Sequence, residues 1–324
     1  STPKDAHPSG NPRTITYKLK FDEGGDHSFS IRFDNETLDV IHEPVDFYPE
    51  WTKLKCNKCP NCPLDEREHE RCPVAANIVK SIDFLCRPHP SRDVAVHVDT
   101  PERAYSKTVD LKTAAYSLLG IYMSSSGCPI MDKLRPMTRF HLPFATALET
   151  TYRSLANYLI AQYLFSLYGK TTDWALAHLS HIYEDIGTVN MAFHERLKEV
   201  SKQNYALNAV LMLDSFANFI NMFLSNDISY DVENLFNYDL EDQSSPAESQ
   251  EDFGNALSDS IAYKYQFNIG AKEAKNFTIN IDRQSLRLIN VSKDPLPSWT
   301  ELTCHKCPNC PLDEKKHKYC PAAR

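Results

Sequence analysis

Eight of the ten cysteines in this 324-residue chain fall in two clusters of identical spacing, C-x2-C-x2-C-x9-C. The first holds Cys56, Cys59, Cys62 and Cys72, and the second holds Cys304, Cys307, Cys310 and Cys320. Four soft ligands within a short stretch are what a metal centre requires. Cys59-Pro60-Asn61-Cys62 has the form of a zinc knuckle, in which two thiolates wrap one ion and the turn's amides donate to the sulfurs. Cys72 is a third ligand, and either Cys56 or His69 completes a tetrahedral site. In the second cluster Cys307, Cys310 and Cys320 are completed by Cys304 or His317. The spacing predicts two zinc ions per chain with no open coordination position, serving the fold rather than catalysis.

Iron–sulfur clusters are the rival occupants. C-x2-C-x2-C followed by Cys-Pro follows the bacterial ferredoxin run, except that nine residues precede the last cysteine where ferredoxins have three. Other candidates lie between the clusters. Cys128, in Ser-Gly-Cys-Pro, would sit at a helix N-terminus that lowers its thiol pKa, with His141 as its base. Arg135, Arg139 and Arg153 concentrate donors suited to a phosphate or carboxylate, against the plainer reading of structural ion pairs. His178, His181 and Asp185 share one side of a helix and resemble an iron ligand set, although polar residues normally flank a core stripe. Asp214, Asn218 and Asn221 mark either the solvent-facing strip of an apolar helix or a polar line toward a ligand.

The elements that would position these residues are partly repeated. Residues 51–76 and 299–324 match at 17 of 26 positions. Upstream of each, apolar residues alternate: Ile15, Tyr17, Leu19 and Phe21, then Phe29, Ile31 and Phe33, then Leu38 and Val40. The later copy has Ile261, Tyr263, Tyr265, Phe267 and Ile269, then Phe277, Ile279 and Ile281, then Leu286 and Leu288. Such alternation predicts a three-stranded antiparallel meander in each copy. Aligning Tyr17 with Tyr263 requires a two-residue turn insertion in the second. Short strands are expected over 93–98 and 104–109, and helices over 111–123, 146–169, 173–200 and 205–224. Leu148, Tyr152, Leu155, Leu159, Tyr163 and Leu167 form the expected core stripe of the second of these helices.

The signature W-T-x-L…C-P-N-C-P-L…C-P-A resembles uncharacterised bacterial cysteine-rich proteins, as does the segment from Ser-Gly-Cys-Pro to His-Leu-Pro-Phe. That resemblance implies no activity. The net charge of −8 is concentrated: residues 226–260 carry ten acidic and no basic groups, leaving 35 basic against 33 acidic elsewhere. No basic domain points to nucleic acid, no uninterrupted apolar run points to a membrane, and CxxC usage points to a reducing cytoplasm. The expectation is therefore an α+β protein in which two small β modules with Cys-rich metal sites flank a helical bundle. Its parts are a disordered segment 1–13, a module over 14–78, a helical domain over 79–225, an acidic linker over 226–260 and a second module over 261–324. The favoured role is binding or scaffolding through protein partners or self-association. Electron transfer or redox sensing comes second, and an enzyme using Cys128, His141 and the arginines third.

Overall fold

Alternating side chains build the first sheet. The computed structural model describes residues 12–22, 24–41, 45, 47–87, 89, 93–200, 204–225, 260–269, 273–282, 288–289, 296–308 and 310–323. Residues 1–11 and the acidic stretch over 226–259 lie outside these. The chain divides into two compact units, Ser1–Ser229 and Tyr230–Arg324.

In the first unit β1 (Arg13–Lys20) and β2 (His27–Phe33) form a hairpin with Tyr17 opposite Phe29. The expected third strand reduces to an isolated bridge between Phe33 and Val40. Instead β3 (Asp93–Asp99) and β4 (Ala104–Asp110) complete a four-stranded antiparallel sheet of order β2-β1-β3-β4. The module is thus larger than the three strands expected, because β3 pairs with β1 and carries β4 with it rather than standing apart. Ile15, Tyr17, Ile31, Phe33, Val96 and Val98 are buried on one face.

Two helices cover that face. α1 (Pro73–Leu85) starts directly after Cys72 with proline at its first position, where the missing N–H is no loss. Its Phe84 ring meets Phe21 and Phe29. α2 (Leu111–Ser124) is capped by the Asp110 carboxylate, and Ser117 on it bonds the Tyr17 hydroxyl at 2.8 Å. A short α3 (Arg135–Arg139) leads to α4 (Ala147–Leu167), whose Thr146–Glu149 capping box forms as the sequence predicts, with Gly169 left-handed past its end. α5 (Ala177–Lys198) begins later than expected, because the Asp173 carboxylate accepts from the Ala177 and His178 amides and caps it. α6 (Asn204–Leu224) packs on α2, α4 and α5. Its segment Tyr205–Leu224 is, among the described residues, the one helix long and apolar enough to cross a membrane by composition.

Most of the stripe assigned to the core of α4 faces outward, Leu155 alone of its six residues packing partly buried against the core. Leu148, Tyr152, Leu159, Tyr163 and Leu167 are exposed, while Thr151, Ser154 and Gln162 are buried. Polar pairing decides the rotation: Tyr183 donates to Ser154 Oγ at 2.5 Å, and Gln162 Oε1 accepts from the Asp173 amide.

The second unit has β5 (Ser260–Ile269), β6 (Glu273–Asp282) and β7 (Leu288–Ile289) in one three-stranded antiparallel sheet. Tyr265 stands opposite Phe277. That partnership reproduces Tyr17 opposite Phe29 at a constant offset of 248 residues, which also relates Trp51 to Trp299. The copies therefore align without the two-residue insertion, since hairpin register, not aromatic resemblance, fixes the correspondence.

Candidate metal centre

Each cysteine cassette is a loop closed by its own backbone. In the first, the Leu54 amide donates to Glu70 O, Cys72 N to Thr52 O and Cys62 N to Cys59 O. The second repeats all three bonds, from Leu302 to Lys318, Cys320 to Thr300 and Cys310 to Cys307. Asn57 takes a left-handed turn at φ 42°, a conformation that asparagine tolerates better than most residues.

In the first unit Cys59, Cys62 and Cys72 line an enclosed, almost wholly apolar cavity, walled also by Leu54, Val189 and Phe193. The fourth cysteine lining it is Cys128, from the turn after α2. Cys56 and His69 do not line it. Cys56 turns its Sγ toward Glu199 Oε2 at 3.9 Å, and His69 is exposed. The space admits about 10 Å³ of water-molecule centres, room for a single water. Among the described residues, no three His, Cys, Asp or Glu donors converge closely enough to hold one ion as they stand.

Burial dominates the thiols. It pushes Cys59 up to about 12, with Cys72, Cys62 and Cys128 adding to the rise and Arg196 opposing it. Cys72 is likewise raised by burial, against amides of Ala75 and Val74. Cys128 is raised by burial too, and the Met131 and Ile130 amides that bond its sulfur only partly offset this. The expected activation of Cys128 is therefore reversed, because its turn runs into a 3-10 segment of four residues (Met131–Leu134) and desolvation outweighs so short a dipole.

Arg196 is the residue that sequence reasoning missed. It is 1% exposed, and its Nη1 donates to Trp51 O at 2.7 Å and Lys53 O at 2.8 Å. Nη2 reaches Asn57 O at 3.4 Å. Among the described residues no carboxylate pairs with it, so its partners are loop carbonyls and the cysteines it faces. The signal available was its place three residues after Phe193 and seven after Val189, on the core side of α5. Two more bonds tie the cassette to α5 and its end: Asn61 Nδ2 to Asp185 Oδ1 at 3.0 Å, and Asn57 Nδ2 to Glu199 Oε1 at 3.1 Å.

The remaining candidates separate. His141 lies away from Cys128, bonded through Nε2 to the Tyr17 hydroxyl at 2.5 Å, and burial pushes its pKa down to about 3. Arg135 is held by Asp132, Asp39 and Thr37 O, and Arg139 by Glu102, which fits the plain ion-pair reading. Among the described residues Arg153 bonds the Met137 and Phe140 carbonyls alone. His178, His181 and Asp185 are exposed, with His181 on Glu184 and Asp185 on Asn61. Asp214 bonds Asn218, Ser180 donates to Asn221, and the stripe lines an open cleft beside α5.

In the second unit Cys304 and Cys307 are exposed and Cys310 and Cys320 half-buried, while His317 is exposed. Each of these four cysteines corresponds to a member of the first cassette, so Cys128 has no counterpart among the cysteines of this sequence.

No curated protein and no solved structure matches the chain. The model of an uncharacterised family, the domain of unknown function DUF6901, matches residues 15–237 and 261–324, which is most of the sequence, and the chain belongs to that family.

Proposed function

We propose that the first unit holds an iron–sulfur cluster on Cys59, Cys62, Cys72 and Cys128, and that the protein is an electron carrier or redox sensor. The observation that carries this reading is the convergence of four thiols, from two segments far apart in sequence, on one enclosed apolar cavity. Four sulfurs around one zinc stand ~2.3 Å from the metal and so about 3.8 Å from one another, which leaves no space for water among them. Here a water-sized space remains and the lining is almost wholly apolar, which suits a cluster shielded from solvent. Amides on the sulfurs of Cys72 and Cys128 and a buried cation at Arg196 are the groups that stabilise an anionic cluster and tune its potential. When bound, the cluster would take up and release single electrons; the chain's part is to exclude water and hold charge beside it.

Anaerobic purification with iron, acid-labile sulfide and zinc analysis tests this directly. Iron and sulfide with a visible absorption band are expected, retained in Cys56→Ser and His69→Ala and lost in Cys128→Ser. Zinc without iron in the purified protein would overturn the cluster. Retention in Cys128→Ser with loss in Cys56→Ser would overturn the ligand set.

A further inference from the structure

A second cavity of the first unit has the features of a ligand site and plays no part in the cysteine centre. It lies among α2, α4, α5 and α6 and is lined mainly by apolar groups such as Ile121, Leu213, Phe216 and Ile220. Its volume is about 120 Å³. An engineered apolar cavity of about 150 Å³ takes up benzene, so the space suits a molecule of roughly one ring. A dry apolar hole would need no further explanation, but among the polar side chains that also line this one, three carry nitrogen groups.

Arg153 is one. Two of its bonds go to carbonyls, and among the described residues no carboxylate pairs with it. Asn190 is the second: it is 1% exposed, and its Oδ1 is buried with no hydrogen-bond partner among the described residues. Native interiors rarely leave such an acceptor unpaired, and a ligand donor is the simplest completion. The third is His141. It stands at the end of a chain in which the Phe144 amide donates to Ser117, Ser117 bonds the Tyr17 hydroxyl, and that hydroxyl bonds His141 Nε2. That chain fixes the ring, and burial beside Arg153 keeps it uncharged, which leaves Arg153 as the cation of the pocket. Tyr183 is already committed to Ser154.

We propose that this cavity binds a small monocyclic or short-chain hydroxy acid, its carboxylate on Arg153 and its hydroxyl donating to Asn190 Oδ1. The apolar wall holds the ring or chain, the cation selects the acid, and the lone amide acceptor selects the hydroxylated form. Buried polar groups discriminate strongly in this way, because the wrong ligand leaves them unpaired.

Calorimetric titration of the full chain with benzoate, 3- and 4-hydroxybenzoate, phenylacetate and 2-hydroxyhexanoate tests the proposal, with p-cresol as the uncharged control. At least one hydroxy acid should bind about tenfold more tightly than its parent acid. Asn190→Leu should remove that preference and leave parent-acid binding unchanged. Arg153→Met should weaken every acid about tenfold or more and spare p-cresol, whose binding shows that the pocket is still folded. Arg153→Lys guards against collapse of the 137–140 loop, since it restores the charge. Absence of binding by every acid to the wild type would overturn the site. Equal binding of acids and p-cresol to Arg153→Met and wild type would overturn the anchor.

Discussion

Replacing Arg196 by methionine keeps an apolar stem and deletes the guanidinium fork. Two strong bonds disappear, to Trp51 O and Lys53 O, and a longer one to Asn57 O. Hydrogen bonds from a charged donor contribute about 1.5–3 kcal/mol each, so the two short ones amount to about 3–6 kcal/mol. Methionine escapes the desolvation of a cation buried without a carboxylate, which returns part of that sum. A net loss of about 2–4 kcal/mol for the first unit is expected, read as a lower urea midpoint at unchanged slope. The cation also opposes the rise in pKa of Cys59 and Cys72, so a metal held at the proposed centre should pass to a chelator faster from the variant than from wild type. Arg196→Lys separates the two effects: it should recover metal retention through its charge but only part of the stability, because one ammonium cannot span the fork. A midpoint for Arg196→Met within about 0.5 kcal/mol of wild type, with metal loss unchanged, would refute the assignment of Arg196 as the cassette's anchor.

Two further outcomes test the fold beneath the sites. His141 is held neutral by burial, with Arg153 opposing its protonation and Tyr17 bonded to Nε2; its folded pKa is about 3, against 6.5 when unfolded. The unfolded chain therefore binds a proton below pH 6.5 that the folded one refuses. The stability gained is complete above 6.5 and falls by about 1.4 kcal/mol per pH unit toward 3. Urea midpoints between pH 7.5 and 5 should slope down in wild type and flatten in His141→Phe; parallel profiles would count against it. Ile31 and Ile279 occupy equivalent positions of the repeat, 1% and 38% exposed. Truncation to alanine should cost about 2–4 kcal/mol at Ile31 and under about 1 kcal/mol at Ile279, and equal costs would mean that the second sheet face is covered in solution.

The sequence was most legible where structure is local. Capping at Thr146–Glu149, the hairpins and the closure of the cassette loops depend on residues within a few positions of one another, and these follow from pattern. What escaped was long-range. β3 pairs with β1 across about eighty residues, and nothing in the alternation of either strand names its partner. The rotation of α4 was misread because hydrophobic periodicity favoured Tyr152 and Leu159, while buried hydrogen bonds at Ser154 and Gln162 turn the other side inward. α1 was overlooked although Cys72-Pro73 and the spacing of Val74, Ile78, Ile82 and Leu85 announce it. Cys128 was singled out, but for nucleophilic chemistry. Its membership in the cysteine cavity depends on where α2 ends relative to α1, which spacing alone does not reveal.

The two copies show how far a cassette determines its own surroundings. Their loops close with the same three backbone bonds at an offset of 248 residues, so the turn is encoded within the repeat. Burial is not: Trp51 is 9% exposed and Trp299 63%, and Tyr17 is fully buried where Tyr265 is half exposed. In the first unit α1, α2 and α5 cover what the repeat presents, and the turn after α2 adds Cys128 to the three cysteines of the loop. A centre bound there would clasp three separate pieces of chain: the cassette, the N-terminus of α1 through Cys72, and the segment between α2 and α3 through Cys128. Its loss would release the helices as well as the loop. The proposed acid pocket shares the segment between α2 and α3 and also α5 with the cysteine cavity, because Ile130 and Val189 line that cavity while their neighbours Met131 and Asn190 line the pocket. A ligand that displaces either segment at one site should therefore change affinity at the other, by the same factor in both directions, which titration of each ligand with and without the other would read.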